Sequence, residues 1–406
     1  MLGSIINYVD RQALSLLAET IQKELVLTDV DYAWITRTFL LCYGVTYLLA
    51  GRMVDRVGER VSESAFMLWW SCANIITAWA TGFHSLLFFR GLLGIGEPGH
   101  YSVAAKVVSN WFPPRERAIA VGMYTMGGTL GAAIAGPLVS TLALRFGWRM
   151  SFVLTGCMGV VLATIWYAVY RPNAATKSLP NLTPVPAPKP IAIPLREYFR
   201  WRPIWIVVAA RLLTDPVWYF YLFWFPKFMQ KQFHYSLADL GATIWIPFLA
   251  ADAGCLLGGW ASGALVKRGI EPLRARLITL GVCAGAMLSS VAIPWAGSGT
   301  IALILASVGC CAVMAFMTNC VALPIDIFPS SRLGTVQGII GTGGSLGGFL
   351  SQGLIAWLIS AYSYKPVFYI IALAHPLAFS LLSFYLIKFV EHHRQHVSSE
   401  ETSHVN

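Results

Sequence analysis

The chain has 406 residues, 56% of them hydrophobic and only 12% charged. Soluble domains carry about 25% charged residues, and a water-facing fold of this length could not hide so much apolar surface; a soluble enzyme or signalling domain is excluded. The formal net charge of +10 invites a nucleic-acid partner, but the basic residues sit in short loops between apolar runs and form neither a face nor an arginine-rich arm, which excludes that partner too.

Apolar length, Gly/Pro breaks and loop charge predict about twelve helical spans in a bilayer. Barrel strands would alternate polar and apolar residues, and these runs do not. The first span covers 1–22 and is short: only nine residues precede Asp10, so about ten further apolar residues are expected upstream of Met1. It has no charged leader or cleavage site and is not a signal peptide. Spans at 31–54, 62–81, 84–110, 117–143 and 147–170 complete a half, residues 1–170. The linker 171–202 holds Pro172, Pro180, Pro184, Pro186, Pro188, Pro190 and Pro194, a composition that stays extended and does not pack. Spans at 204–230, 237–266, 274–295, 299–325, 333–360 and 365–390 form the second half, residues 203–390, and 391–406 is a tail. Lys and Arg concentrate in alternate loops (Arg52, Arg56 and Arg60; the linker; Lys267, Arg268, Arg274 and Arg276), which places both termini in the cytoplasm. The eight cysteines lie mostly inside apolar runs with no C-x-x-C; they read as reduced packing residues, with no metal site.

A charge within a span costs several kcal/mol unless it is paired or hydrated, which makes intramembrane charges functional candidates. These are Asp10, Arg11, Arg37, Arg90, Glu97, Lys106, Arg211, Asp215 and Asp252. Arg90 and Glu97 lie two turns apart on one helix face. Arg211 and Asp215 stand at i,i+4, where they can pair with each other.

The two halves repeat. Asn110–Pro113 and Asp326–Pro329 both end a span at an aromatic–proline corner, and Gly127-Gly128-Thr129-Leu130-Gly131 matches Gly343-Gly344-Ser345-Leu346-Gly347 in the same register, as does Gly122 with Gly338. The loop Gly51, Asp55, Arg56, Gly58 and Arg60 fits G-x-x-x-D-R-x-G-x-R. A parallel repeat of two six-span halves with this loop resembles the major facilitator superfamily, which implies an all-α polytopic fold and a gating role for those five loop residues.

Within that superfamily the chain resembles the anion:cation symporter family. The likeness rests on Asn7, Tyr8, Asp10 and Arg11 (N-Y-x-D-R), on Arg90-Gly91-Leu92-Leu93-Gly94-Ile95-Gly96-Glu97, on Lys106 and Trp111-Phe112-Pro113, and on Gly147-Trp148-Arg149; Asp215 to Lys227 is similar to the hexuronate-transporter group. The resemblance implies proton-coupling carboxylates at Asp10 and Glu97, arginines near an anion site at Arg11 and Arg90, and cavity hydroxyls at Tyr8 and Tyr43. It implies a monomer in a bacterial inner membrane that imports a sugar acid (a hexuronate, aldonate or aldarate) with protons, driven by the proton gradient with no cofactor. The alternatives are an exporter or exchanger of another carboxylate or a drug, and a membrane sensor without flux.

Other residues keep two readings. Asp10 and Arg11 are either working groups or a fixed ion pair. Trp218, Tyr219 and Tyr221 stack on a sugar ring or belong to an aromatic belt. Asn319 and Gln352 bind hydroxyls or bridge helices. Arg37 reads a second carboxylate or snorkels to the outer interface. His100 stands where the family has other residues and is either a proton relay or a packed histidine.

Overall fold

The structure is a computed structural model that describes residues 1–111, 114–171, 200–327 and 333–403; among them every regular element is a helix. In hydrocarbon only helices and closed barrels satisfy all backbone N–H and C=O groups, and the long apolar runs select helices. The first half comprises α1 (Leu2–Leu16), α2 (Ala18–Leu25), α3 (Asp29–Val57), α4 (Glu59–Thr77), α5 (Phe83–Gly96), α6 (Pro98–Trp111) and α7 (Pro114–Val169). The second comprises α8 (Arg202–Phe223), α9 (Phe225–Phe233), α10 (Leu237–Thr243), α11 (Trp245–Lys267), α12 (Pro272–Met287) with a 3₁₀ extension Leu288–Trp295, α13 (Gly299–Ile327), α14 (Leu333–Ala361) and α15 (Tyr364–Ser403). The proline-rich residues 172–199 lie outside the described segments.

Several predicted spans are therefore broken helices. The first is α1 plus α2, the fourth breaks between α5 and α6 at Glu97, and the eighth breaks between α10 and α11 at Ile244. The break at Glu97 precedes Pro98, which has no N–H to donate back along the helix. The predicted boundary at 143–147 is a sharp turn at Gly147, whose φ of +82° suits a residue without Cβ. Thr28 starts α3 with a capping box to Asp31, and Ser236 starts α10 with one to Asp239.

Seven helical stretches among the described residues are long and apolar enough to cross a membrane, the first of them starting at Met123. Among the earlier segments α1 has only 15 residues and carries Asp10 and Arg11, α4 carries Glu59, Arg60 and Glu63, and the fourth span is split at Glu97. Most of the buried polar side chains among the described residues sit in the first half.

The glycine repeat is a packing device. A Cβ at Gly128 would overlap the Tyr8 ring of α1, and one at Gly131 would overlap the Ile5 backbone; Gly344 and Gly347 meet Asp215 and Leu212 of α8 in the same way. The fifth-span segment thus seats against α1 as α14 seats against α8, which is the repeat expressed in contacts. Gly131→Ala pushes a methyl group against backbone that cannot rotate away, and overpacking of this kind costs about 1–3 kcal/mol. The expected result is a lowered melting temperature in detergent; a melting curve matching the parent's would show that the two helices part without strain.

The halves meet through α3 against α14 and α7 against α10 and α11. At the end where α3 begins they are tied together. Tyr32 donates to the Phe223 carbonyl at 2.6 Å, Trp224 donates to Gln352 at 2.7 Å, and Thr36 donates to the same Gln352 oxygen at 3.3 Å. The fully buried Lys227 ammonium bonds Gln22 and Asp29, and Lys231 reaches Asp29 at 2.9 Å. Removing one partner of a buried ion pair leaves the other charge stranded. Lys227→Met is expected to loosen this end: a cysteine at Thr36, which is buried in the parent, should react with a maleimide roughly tenfold faster or more, the factor that about 1.4 kcal/mol sets. An unchanged labelling rate would remove the ion pair from the closure.

Candidate functional site

Between the halves lies a cavity of about 440 Å³, within the range of about 300–1,000 Å³ that ligand sites occupy. The first half contributes Tyr8, Arg11, Tyr43, Tyr47, Tyr101 and Thr129 to its wall. The second contributes Arg211, Asp215, Trp218, Tyr219, Thr342 and Ser345. Aromatic faces, hydroxyls and two guanidinium groups set polar donors and acceptors among apolar surface, as ligand sites do.

Arg11 anchors the first wall. Its Nε donates to Glu97 Oε2 at 2.9 Å, its Nη2 donates to the same oxygen, and Nη2 also reaches Asn7 Oδ1 at 3.3 Å. The guanidinium lies 4.6 Å from the Tyr8 ring centroid and 5.0 Å from that of Tyr43, with Phe39 at 5.2 Å. Glu97 is fully buried and its Oε1 has no partner among the described residues. It is reached from the cavity through Arg11, which spans the distance between the carboxylate and the open space.

Asp10 points the other way. Successive helix residues diverge by about 100°, so Asp10 and Arg11 do not pair. Asn74 Nδ2 donates to Asp10 Oδ1 at 2.7 Å and to Thr155 Oγ1 at 2.8 Å, while Asp10 Oδ2 has no partner among the described residues. Arg90 is 2% exposed, lies 5.6 Å from the Phe152 centroid, and leaves Nε and Nη2 unpartnered among the described residues. Neither residue lines the cavity.

His100 is buried between Glu63, which its Nδ1 contacts, and Ser4, whose hydroxyl is 2.9 Å from its Nε2. Arg37 is sandwiched between Trp34 at 4.3 Å and Phe349 at 4.5 Å, away from the cavity wall. Tyr221 is packed with Phe220 and Phe225, with its hydroxyl 3.3 Å from Ser290 Oγ. Asn319 donates to the Gly258 and Ala315 carbonyls at 2.9 Å each and accepts from Arg276. Gln352 serves the inter-half tie. Tyr221, Asn319 and Gln352 therefore occupy helix-bridging or packing positions and stand back from the cavity. In the loop after α3, Gly58 has φ +87° and Arg60 donates to the Tyr167 carbonyl at 2.7 Å; Arg56 is exposed, and the side chain of Asp55 and residue Gly51 lie outside the described surroundings.

Tyr47, Tyr101, Thr129 and Ser345 line the cavity without having been singled out. Thr129 and Ser345 hold the same place in the two glycine repeats, and that equivalence was the available signal. Thr129 donates to the buried Asp252 carboxylate across the seam.

Two helical halves of parallel repeat, clasped at one end around a charged cavity, define a secondary membrane transporter. The sequence model of the Major Facilitator Superfamily matches residues 1–351, and the chain belongs to that superfamily. It is similar to the hexuronate transporter of Escherichia coli strain K12, at 27% identity over 385 residues covering 91% of this chain and 88% of that protein. It is also similar to the D-galactonate transporter of Escherichia coli O6:H1, at 29% identity over 394 residues covering 91% and 90%. Among solved structures, a D-xylose–proton symporter matches with a TM-score of 0.75 at 16% identity, over 94% of this chain and 95% of that one; at that identity the likeness is one of fold.

Proposed function

We propose that this transporter imports a small organic anion of the sugar-acid class together with protons. The observation that carries the reading is Arg11, a buried guanidinium shared between a cavity ringed by tyrosines and a carboxylate to which no other cation among the described residues is bonded. The hexuronate and galactonate named for the relatives fit a guanidinium fork and a hydroxyl-rich, aromatic wall.

Coupling follows from competition for Arg11. With Glu97 charged, the guanidinium is engaged and the anion meets a neutralised pair. A proton on Glu97 cancels its charge and leaves Arg11 to the substrate carboxylate, so proton and anion bind together. Asp10 supplies a second buried carboxylate, held by Asn74, and Arg90 lends a positive field to both. Basic loops place the linker in the cytoplasm, so the clasped end at Asp29 faces outward and the cavity serves the inner side. Asp55, Arg56 and Arg60 then sit at the cytoplasmic gate with Gly51 and Gly58. One chain encloses a complete cavity and works as a monomer, with the proton gradient as its energy source. A carrier of cationic drugs is disfavoured by Arg11, the guanidinium that a proton on Glu97 releases to the cavity.

The test is uptake of radiolabelled hexuronates, aldonates and aldarates into proteoliposomes with and without an inward proton gradient. Concentrative uptake of one of them that collapses with a protonophore is expected. Uptake that ignores the gradient would remove the proton from the cycle.

A further inference from the structure

The second wall of the cavity carries its own arginine, and its state differs from that of Arg11. Arg211 Nε donates to Asp215 Oδ1 at 2.7 Å and to Oδ2 at 2.9 Å, and Nη2 donates to Oδ2 at 2.7 Å. The pair lies on one helix, one turn apart, so its geometry does not depend on how the halves move. The Asp215 carboxylate rests on Gly344, where any Cβ would overlap it. It is held in place from both sides. Tyr219, one turn further on, seats against Gly348 and stacks on Phe223 at 6.0 Å with an interplanar angle of 5°.

A guanidinium locked to its own carboxylate is a neutral unit. It offers an N–H donor at Nη1, which has no hydrogen bond among the described residues, beside carboxylate lone pairs. A hydroxyl both donates and accepts, and two neighbouring hydroxyls match that pattern. A carboxylate only accepts, and it would also meet the Asp215 charge at close range. On the opposite wall the Thr129 hydroxyl is already bonded to Asp252. Arg37, which a second carboxylate could have used, is shut between Trp34 and Phe349.

We infer that the Arg211–Asp215 pair is a hydroxyl-reading subsite that selects acids with one carboxylate and a polyol end and rejects those with a carboxylate at each end. This rests on the sugar-acid reading of Arg11 and extends it to the far end of the substrate. Arg11 takes the carboxylate, Arg211 and Asp215 take the hydroxyls, and the Tyr219 and Trp218 rings flank the carbon chain.

The experiment is inhibition of labelled glucuronate uptake by unlabelled glucuronate and by glucarate, which differs in bearing a second carboxylate. The parent should prefer glucuronate by roughly tenfold or more, the scale of one charge-assisted hydrogen bond gained or lost. Asp215→Asn removes the guarding charge and leaves Arg211 a net cation, so glucarate should gain on glucuronate by a similar factor. The double variant Arg211→Gln with Asp215→Asn is neutral again and should lose that gain, which separates charge from shape. Equal inhibition of the parent by the two acids overturns the inference, whether or not either variant folds, and leaves the Arg11 reading intact. Unchanged selectivity in a folded Asp215→Asn protein also overturns it. Failure of any sugar acid to be transported overturns the underlying reading and this one with it.

Discussion

With an inward gradient of one pH unit, Glu97→Gln proteoliposomes are expected to lose about tenfold of their substrate accumulation while still exchanging labelled for unlabelled substrate. One pH unit is worth about 1.36 kcal/mol per proton, which is a tenfold concentration ratio. The glutamine keeps the size of the side chain and an oxygen to accept from Arg11, so the guanidinium stays in place between Tyr8 and Tyr43. What it loses, on the proposed coupling, is the charge that competes with the substrate and the proton that settles the competition. Substrate should therefore bind with the same affinity across a pH range in which the parent's affinity changes. Exchange needs no net proton movement, so it survives and reports that the protein is folded and the cavity intact. Full gradient-driven accumulation in Glu97→Gln would place the proton elsewhere, with Asp10 and Glu63 as further buried acids.

Arg11→Lys is expected to weaken substrate binding roughly tenfold or more, since each hydrogen bond to a charged group contributes about 1.5–3 kcal/mol. Lysine keeps the charge but not the fork. Arg11 uses Nε and Nη2 on one Glu97 oxygen and Nη2 again on Asn7, and its plane lies near three aromatic rings. A lysine ammonium is a strongly hydrated point charge that stacks less well and cannot present two parallel donors to a carboxylate. The defect should appear in both exchange and net uptake, unlike that of Glu97→Gln. Unaltered half-saturation in Arg11→Lys would show that the substrate carboxylate is held by another group.

The sequence by itself determined the spans, the two-half repeat and much of the inventory of buried charges, though it passed over Glu63 and Lys227, which are buried as well. Each follows from the cost of polar groups in hydrocarbon, which leaves so few charges inside the spans that each stands out. Asp10, Arg11, Arg90 and Glu97 are indeed all at most 4% exposed. The pairing of Arg211 with Asp215 was legible too, because i,i+4 neighbours on a helix meet whatever the tertiary fold does.

Only the tertiary structure decided which way each group faces. Arg11 and Glu97 are 86 residues apart and meet because α1 packs against the break between α5 and α6. Asp10, the immediate neighbour of Arg11, turns to α4 and the second arm of α7 instead. The cavity members Tyr47, Tyr101 and Thr129, and the withdrawal of Tyr221 and Asn319, depend on which helix face is turned to the seam between the halves. An almost uniformly apolar span has little periodicity from which to read that rotation. Small residues such as Gly128 and Gly344 set it through close packing, and their effect exists only once the neighbouring helix is in place.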